Sequence, residues 1–592
     1  MEYTRTPETL KSLLPPIFAP LRALVVEPHP LWQNEYATLL KTHNFAISKV
    51  DDNELASKLL KTCYYHVVIV DSLDSPVLRT VRQYQWLRYM VAVVCAPDAV
   101  KTSDGEAPFA VINNVLHYDR NNYYPYKFWL QISKQLDFKG LMMNVDVEIE
   151  NPEVLDLLSS RMIGNLIDHI SSTKASSRLY DRDTWLLDFD MQDDEHYAIV
   201  QTRLAYEIGD VLRRSIKMRR LDKLALSKIG DGLSKAAVAM VTPHRDGYLE
   251  GNIIKLGYHK EIEVEYLAYE DYVRFYQSVK AHSPSAQDSA KTPLLSSINY
   301  QFVEGGRSFV DMYSSKFVPM DDIEEILEYL FGKVYEAWFA DMSDMQISAA
   351  HYMDYLNCQP ERFYTVVDYM QKQPALQGYR LWGVDKLILK DLPKEPELEN
   401  PFTMLHDEAF LNTLKYPARA TITHGDLNAN NMLIKQNGEV HLIDFARTAK
   451  DHALRDFIQL ETVVRFTLMK DASLRERFEM EQVLAQQSHF MEIDELREAY
   501  QPPDSIHADE LRRAFLTTCK IRELAWKTVF NAQSSNTIQA NFRQYQMGLF
   551  FMSLTTVRFV NHKRHHTNDG LSITQALHAL VAAALIMKYL RR

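Results

Sequence analysis

The chain has 592 residues, of which 46% are hydrophobic and 24% charged, enough for about three to four ordinary globular domains with their own cores. A net charge of −12 excludes a general electrostatic draw toward nucleic acid or anionic lipid, so neither partner is expected. The four cysteines (Cys63, Cys95, Cys358, Cys519) lie scattered, without zinc or redox spacing, and fit a reducing cytoplasmic setting.

Residues 1–19 read as a tail without the basic and apolar sections of a signal peptide. In residues 20–140, short apolar runs at Ala23–Val26, Val67–Val70 and Val91–Cys95 alternate with helical patterns at Asn34–His43 and Asn53–Thr62. That alternation predicts a doubly wound α/β domain, whose ligand chemistry lies beyond the carboxyl ends of its strands. Glu27 and Asp71 stand at those ends. The runs LVVEP and VVIVDSL resemble the receiver domain of bacterial response regulators, which implies a bacterial signalling setting and puts Asp71 at the phospho-acceptor position. The departures are specific. Pro28 replaces the second metal-binding acid, Cys95-Ala96-Pro97 ends the fourth strand where Ser or Thr belongs, and no Lys-Pro follows Val115–Asp119. Phosphoryl transfer to Asp71 would lack charge neutralisation, so a degenerate, receiver-like module for docking a protein or for self-association is expected.

Residues 141–223 read as a helical connector, with Pro152 at a first turn and Val154, Leu157, Leu158, Met162 and Ile163 at turn spacing. A basic cluster from Arg213-Arg214 to Arg219-Arg220 is expected on a solvated helix face. From 224 onward the pattern changes. Strands at Leu224–Ile229 and Ala236–Met240 flank Gly230-Asp231-Gly232-Leu233-Ser234, a glycine turn able to lay backbone N–H groups over phosphates. Lys255 sits within the apolar run Asn252–Leu256, where a buried ammonium needs a partner or an anion. The helix Glu261–Tyr272 offers Glu261 and Glu265; Glu265, nearer its centre, is the expected partner. Ala281–Thr292 is small and polar and predicts a solvated loop; Ser297–Ser314 predicts a strand and hinge, with a nucleotide base met by backbone near Phe302–Glu304. After Asp321, the stripe Ile323, Ile326, Leu327, Leu330, Phe331, Val334 and Trp338 predicts a core-facing helix.

The stretch Thr423–Ala446, THGDLNANNMLIKQNGEVHLIDFA, predicts strand end, loop, strand, an Asn437-Gly438 turn and a second strand ending at Asp444. It brings Asp426, Asn431 and Asp444 together: a carboxylate to take a hydroxyl proton and hard oxygen donors suited to Mg²⁺. His424 reads as a brace for the loop. These residues, in HGDLNANN and LIDFA with the expected spacing, resemble the aminoglycoside phosphotransferase and choline kinase branch of the protein-kinase-like fold.

The resemblance implies a two-lobed kinase-like domain, with an N-lobe at 224–303 and a C-lobe at 304–592. Asp426 would be the base and Asn431 and Asp444 the Mg²⁺ ligands. Gly230, Gly232, Ser234 and Lys255 would hold ATP or GTP, and Asp456 would order the metal loop. The mostly helical part from His452 to the end would wall the site for an unknown hydroxyl acceptor, small molecule or protein. Glu461, Asp471, Glu479 and Glu481 are expected on a charged helix surface, and Ala576–Tyr589, shorter than the ~20 residues a bilayer needs and containing His578, as a buried final helix with no membrane contact. The alternative function is a nucleotide-binding effector or scaffold with little transfer activity.

Overall fold

The computed structural model describes residues 21–83, 90–97, 99–100, 108–139, 141, 146–149, 206–215, 223–228, 236–244, 251–292, 295–315, 317–393, 397–530, 538–560 and 571–591. The expected tail, most of the connector, and the glycine turn with Gly230, Gly232 and Ser234 lie outside the described residues. The chain is a mixed α/β protein that divides into two compact units, Met1–Val264 with Ala286–Phe302 and Glu265–Ser285 with Val303–Arg592.

The first unit holds two six-stranded sheets. Strands β1 (Leu21–Val26), β2 (Phe45–Val50), β3 (Val67–Val70), β4 (Val91–Ala96), β5 (Phe109–Ile112) and β6 (Val115–Asp119) run in the order β2-β1-β3-β4-β6-β5. All neighbours are parallel except the β5–β6 hairpin. The expected strands are present, and β2, β5 and the hairpin turn at Asn113-Asn114, both with positive φ, are additions. A parallel sheet must be covered on both faces, which is why its central strands are runs of valine. Alternate residues accordingly enter different cores: Ala23, Val25, Val67 and Ile69 pack with Tyr36, Phe128 and Ile132, whereas Leu24, Val26, Val68 and Val70 face the other way.

That second core does not end at the sheet. It continues through Ile208, Val211 and Leu212 of the 206–215 helix into Ala239, Val241, Ile254, Leu256 and Leu295. These last residues belong to the antiparallel sheet formed with β7 (Asp146–Ile149), β8 (Lys223–Lys228), β9 (Ala237–His244), β10 (Asn252–Tyr258), β11 (Ala286–Lys291) and β12 (Leu295–Gln301). The 206–215 helix carries charge into this interior. Asp210 accepts from Tyr64 Oη (2.7 Å) and Arg213 Nη1 (3.2 Å) and meets His66 Nε2 at 3.3 Å. Burial alone would raise the Asp210 carboxyl, but His66 and Arg213 hold it at about 2. Glu207 accepts from Thr292 Oγ1 at 3.0 Å.

Three expectations change here. Arg213 is buried against Asp210 instead of lying on a solvated face, because the helix that carries it is enclosed by two sheets. The connector contributes a strand, β7, which pairs in parallel with β8. The polar stretch after Ala281 contains β11, paired with β12; an edge strand needs only one hydrogen-bonded side and tolerates Asp and Ser.

In the second unit the helix Met320–Tyr329, a wide turn Leu330–Val334 and the helix Glu336–Ala340 bury the whole expected stripe from Ile323 to Trp338. Two small sheets follow. One pairs β13 (Arg307–Ser308) with β16 (Met432–Ile434) and β17 (Val440–Leu442); the other pairs β14 (Ser343–Ser348) with β15 (Lys415–Thr423) and β18 (Ala449–His452). Long helices at Ala508–Val529, Ile538–Val557 and Ile573–Leu590 complete it. Among the described residues, Ile573–Leu590 is the one helix long and apolar enough to cross a membrane, yet 78% of it is buried against this unit. Burial of that extent is what a core helix requires.

Candidate active site

The site grows from the end of β15. Thr423 leads into His424-Gly425-Asp426, and every backbone polar group of the first two residues has a partner. Asp456 accepts from His424 N (2.6 Å) through Oδ2 and from Gly425 N (2.9 Å) through Oδ1. Thr448 Oγ1 donates to His424 O at 3.1 Å, and Tyr355 Oη and Arg455 Nη2 donate to Gly425 O at 2.6 and 2.9 Å. Gly425 has φ +77°, and a Cβ there would stand 2.1 Å from the Arg447 carbonyl oxygen. Only glycine fits.

His424 is fully buried, with Nε2 toward Ile443 O (3.0 Å) and Nδ1 accepting from Asp426 N (3.4 Å). Both ring nitrogens thus face backbone atoms, one on each side of the site. Through these contacts Asp456 holds the His424-Gly425 turn beside Asp426.

Beyond Asp426, Asn428 Oδ1 accepts from Asn430 N and Asn431 N, capping the turn Ala429–Asn431 and bringing the chain back on itself. Asn431 Nδ2 then donates to the Asp426 carbonyl at 2.8 Å. With its nitrogen so engaged, the amide presents its oxygen as the group available to a cation. The next contact closes the set: Ile443 N donates to Asn431 O at 3.1 Å, immediately before Asp444. β16 and β17 pair Met432 with Leu442, and Gly438 turns the hairpin with φ +81°. Asp444 itself adopts φ +66°, a left-handed conformation that Asp tolerates better than most residues, and Phe445 is buried against His424 and Tyr269. Two hydrogen bonds thus tie loop to hairpin, one from Asn431 to the Asp426 backbone and one from Ile443, the residue before Asp444, to the Asn431 backbone.

Gln459, which sequence reasoning passed over, reaches the same place: its Nε2 donates to Asp426 Oδ1 at 2.9 Å. Arg455, Tyr355 and Tyr335 were equally silent, although Arg455, Asp456 and Gln459 share a face of the Arg455–Thr462 helix at spacings of three and four. That spacing was the available signal. Lys255 is buried on β10 of the first unit; Glu265, in the second, is buried, whereas Glu261 is half-exposed. Asp71 stands half-buried at the end of β3. Beside it, Arg120 pairs with Glu27 and donates from Nη2 to Cys95 O at 2.7 Å, so the chain's own guanidinium neutralises Glu27.

Two acids expected on a charged surface are interior instead. Glu461 accepts from Arg465 (2.7 Å), Arg522 (2.8 Å) and Tyr545 Oη (2.7 Å). Glu481 pairs with Arg465 and with His578 Nε2 (2.7 Å); burial would raise its carboxyl, but Arg465 and His578 hold it at about 2. Their charges are spent inside the helical core. Glu479 and Asp471 do lie toward solvent. A cavity of about 470 Å³ lined by Leu376, Tyr379, Asp391, Lys470, Ser473 and Ile573, among others, shares no residue with the Asp426 site.

A family model described as ternary complex associated domain 9 matches residues 392–556, less than half of the chain. No curated protein matches. Among solved structures, the choline kinase LicA from Streptococcus pneumoniae is 9% identical with a TM-score of 0.29, over 62% of this chain and 93% of that one. A spectinomycin phosphotransferase, solved with ADP and spectinomycin, is 10% identical with a TM-score of 0.25, over 60% of this chain and 88% of that one. Scores this low fix neither fold nor activity.

Proposed function

We propose that this chain is a phosphotransferase of the aminoglycoside phosphotransferase and choline kinase type, using ATP or GTP and transferring the γ-phosphoryl to a hydroxyl. The observation that supports this reading is the hydrogen-bonded loop and hairpin in which Asn431 binds the Asp426 backbone and Ile443, next to Asp444, binds the Asn431 backbone. Asp426, half-buried at the tip of a fully braced turn, takes the proton of the attacking hydroxyl. The hydroxyl oxygen forms its bond to the γ-phosphorus as the bond to the β–γ bridging oxygen breaks, releasing nucleoside diphosphate. The amide oxygen of Asn431 and the carboxylate of Asp444 are hard donors that fit Mg²⁺, which when bound neutralises phosphate charge. Gly230, Gly232, Ser234 and Lys255 hold the nucleotide phosphates, and Glu265 orients Lys255.

Residues 224–303 and 304–592 serve as the two lobes, residues 141–223 join them to the N-terminal domain, and the setting is cytoplasmic. The strand order of the 20–140 domain, a doubly wound one, supports its receiver-like reading. The Arg120–Glu27 pair supports its being degenerate, since an internal cation takes the acid that a metal would need. Burial of Glu461 and Glu481 in ion pairs removes two acids that would recognise a polycationic acceptor. A protein acceptor or partner is favoured by the association with ternary complexes in the matched domain's description.

Incubating the full chain with γ-labelled ATP and Mg²⁺ tests the proposal. Asp426→Ala should cost about 10²-fold or more in turnover with nucleotide affinity nearly intact, and Asp444→Ala should weaken Mg²⁺-nucleotide binding as well. Nucleotide binding without any transfer, unchanged in Asp426→Ala, would leave the effector or scaffold reading.

A further inference from the structure

We propose that Gln459 is the positioning residue of the Asp426 carboxylate, turning it so that Oδ2 faces an incoming hydroxyl. This rests on the phosphotransfer reading of Asp426. The Arg455–Thr462 helix holds the base loop in three steps along one face: Arg455 grips the Gly425 carbonyl, Asp456 grips the N–H groups of His424 and Gly425, and Gln459, one turn on, grips the carboxylate itself. The first two fix the backbone. Only the third sets the side-chain torsion that decides where the carboxylate oxygens point. Asn431, the other amide nearby, is committed to the Asp426 main chain.

The glutamine's other end offers no second tie: Gln459 Oε1 is buried and meets no donor among the described residues. An unpaired buried carbonyl oxygen destabilises the fold, so the contact to Asp426 is the polar tie that orients this amide. Turning the amide over would set Oε1 against Asp426 Oδ1, two acceptors face to face. The residue therefore keeps one N–H on the base although its oxygen goes unmatched.

The test uses the full chain with γ-labelled ATP and Mg²⁺, following label into free phosphate and into protein, for wild type, Gln459→Met, Gln459→Glu and Asp426→Ala. Gln459→Met keeps the length and removes both polar ends; kcat should fall about ten- to a hundredfold, KM for ATP should stay within about twofold, and Tm should equal or exceed that of wild type. Gln459→Glu keeps the shape but sets a carboxylate against the base, and should lose more than Gln459→Met. Wild-type kcat in both Gln459 variants, beside an inactive Asp426→Ala, overturns this inference and spares the phosphotransfer reading. A lowered Tm in Gln459→Met, with activity lost in proportion to unfolded protein, also overturns it, since the residue is then a structural one. Full activity in Asp426→Ala, or no label transfer by wild type, sinks the reading beneath it.

Discussion

Replacing Asp456 with asparagine should destabilise the second unit and disable the site together. The carboxylate is 1% exposed and accepts three hydrogen bonds, from His424 N and Tyr335 Oη at Oδ2 and from Gly425 N at Oδ1. Burial, reinforced by the Asp456 charge, raises the Tyr335 hydroxyl well above its ordinary range, so that it stays protonated and donates. Asparagine has one acceptor oxygen. Placed where Oδ2 was, it keeps His424 and Tyr335 but points its own N–H groups at Gly425 N. The variant loses one charge-assisted bond outright, weakens two more by removing the charge, and strands a buried backbone donor. A hydrogen bond to a charged group contributes about 1.5–3 kcal/mol and an unmatched buried donor costs about 1–3 kcal/mol, so the total is about 3–5 kcal/mol. Urea unfolding followed by tryptophan fluorescence reports it, since Trp338 is buried in the same unit. The turn beside Asp426 should also relax, and kcat should fall with little change in ATP affinity. A loss under about 1 kcal/mol with full turnover would refute the claim that Asp456 organises the base loop.

Acid should weaken the same unit. His452 is fully buried with both ring nitrogens used, Nδ1 toward Tyr352 Oη (2.7 Å) and Nε2 toward Gln544 Oε1 (2.8 Å), and burial lowers it from 6.5 to about 4. The folded value lies below the unfolded one, so its contribution is intact above pH 6.5 and is lost as pH falls toward 4, by at most about 3 kcal/mol; His452→Gln should flatten that part of the stability–pH curve. In the N-terminal domain, Asp71→Asn should leave label transfer unchanged, because Arg120 already pairs with Glu27 and no cluster of three metal-binding side chains occurs among the described residues. A shift of that domain's spectrum on adding beryllofluoride would contradict this.

Local features were legible in the chain: valine runs long enough for buried strands, an apolar stripe at helical spacing, an Asn-Gly turn, and two carboxylates and an amide at short separations on one strand–loop–strand. Such features depend on neighbours a few residues away, which any reader of the chain can see. Which polar side chains face inward was set by long-range packing. Glu461 and Glu481 have the character of surface residues, and their burial rests on partners that include Arg522, 61 residues from Glu461, and His578, 97 residues from Glu481. A charge is placed inside only when distant charges arrive to meet it, and no local pattern records that arrival. Gln459 is the same case at the site: 33 residues separate it from Asp426, and folding alone makes them neighbours.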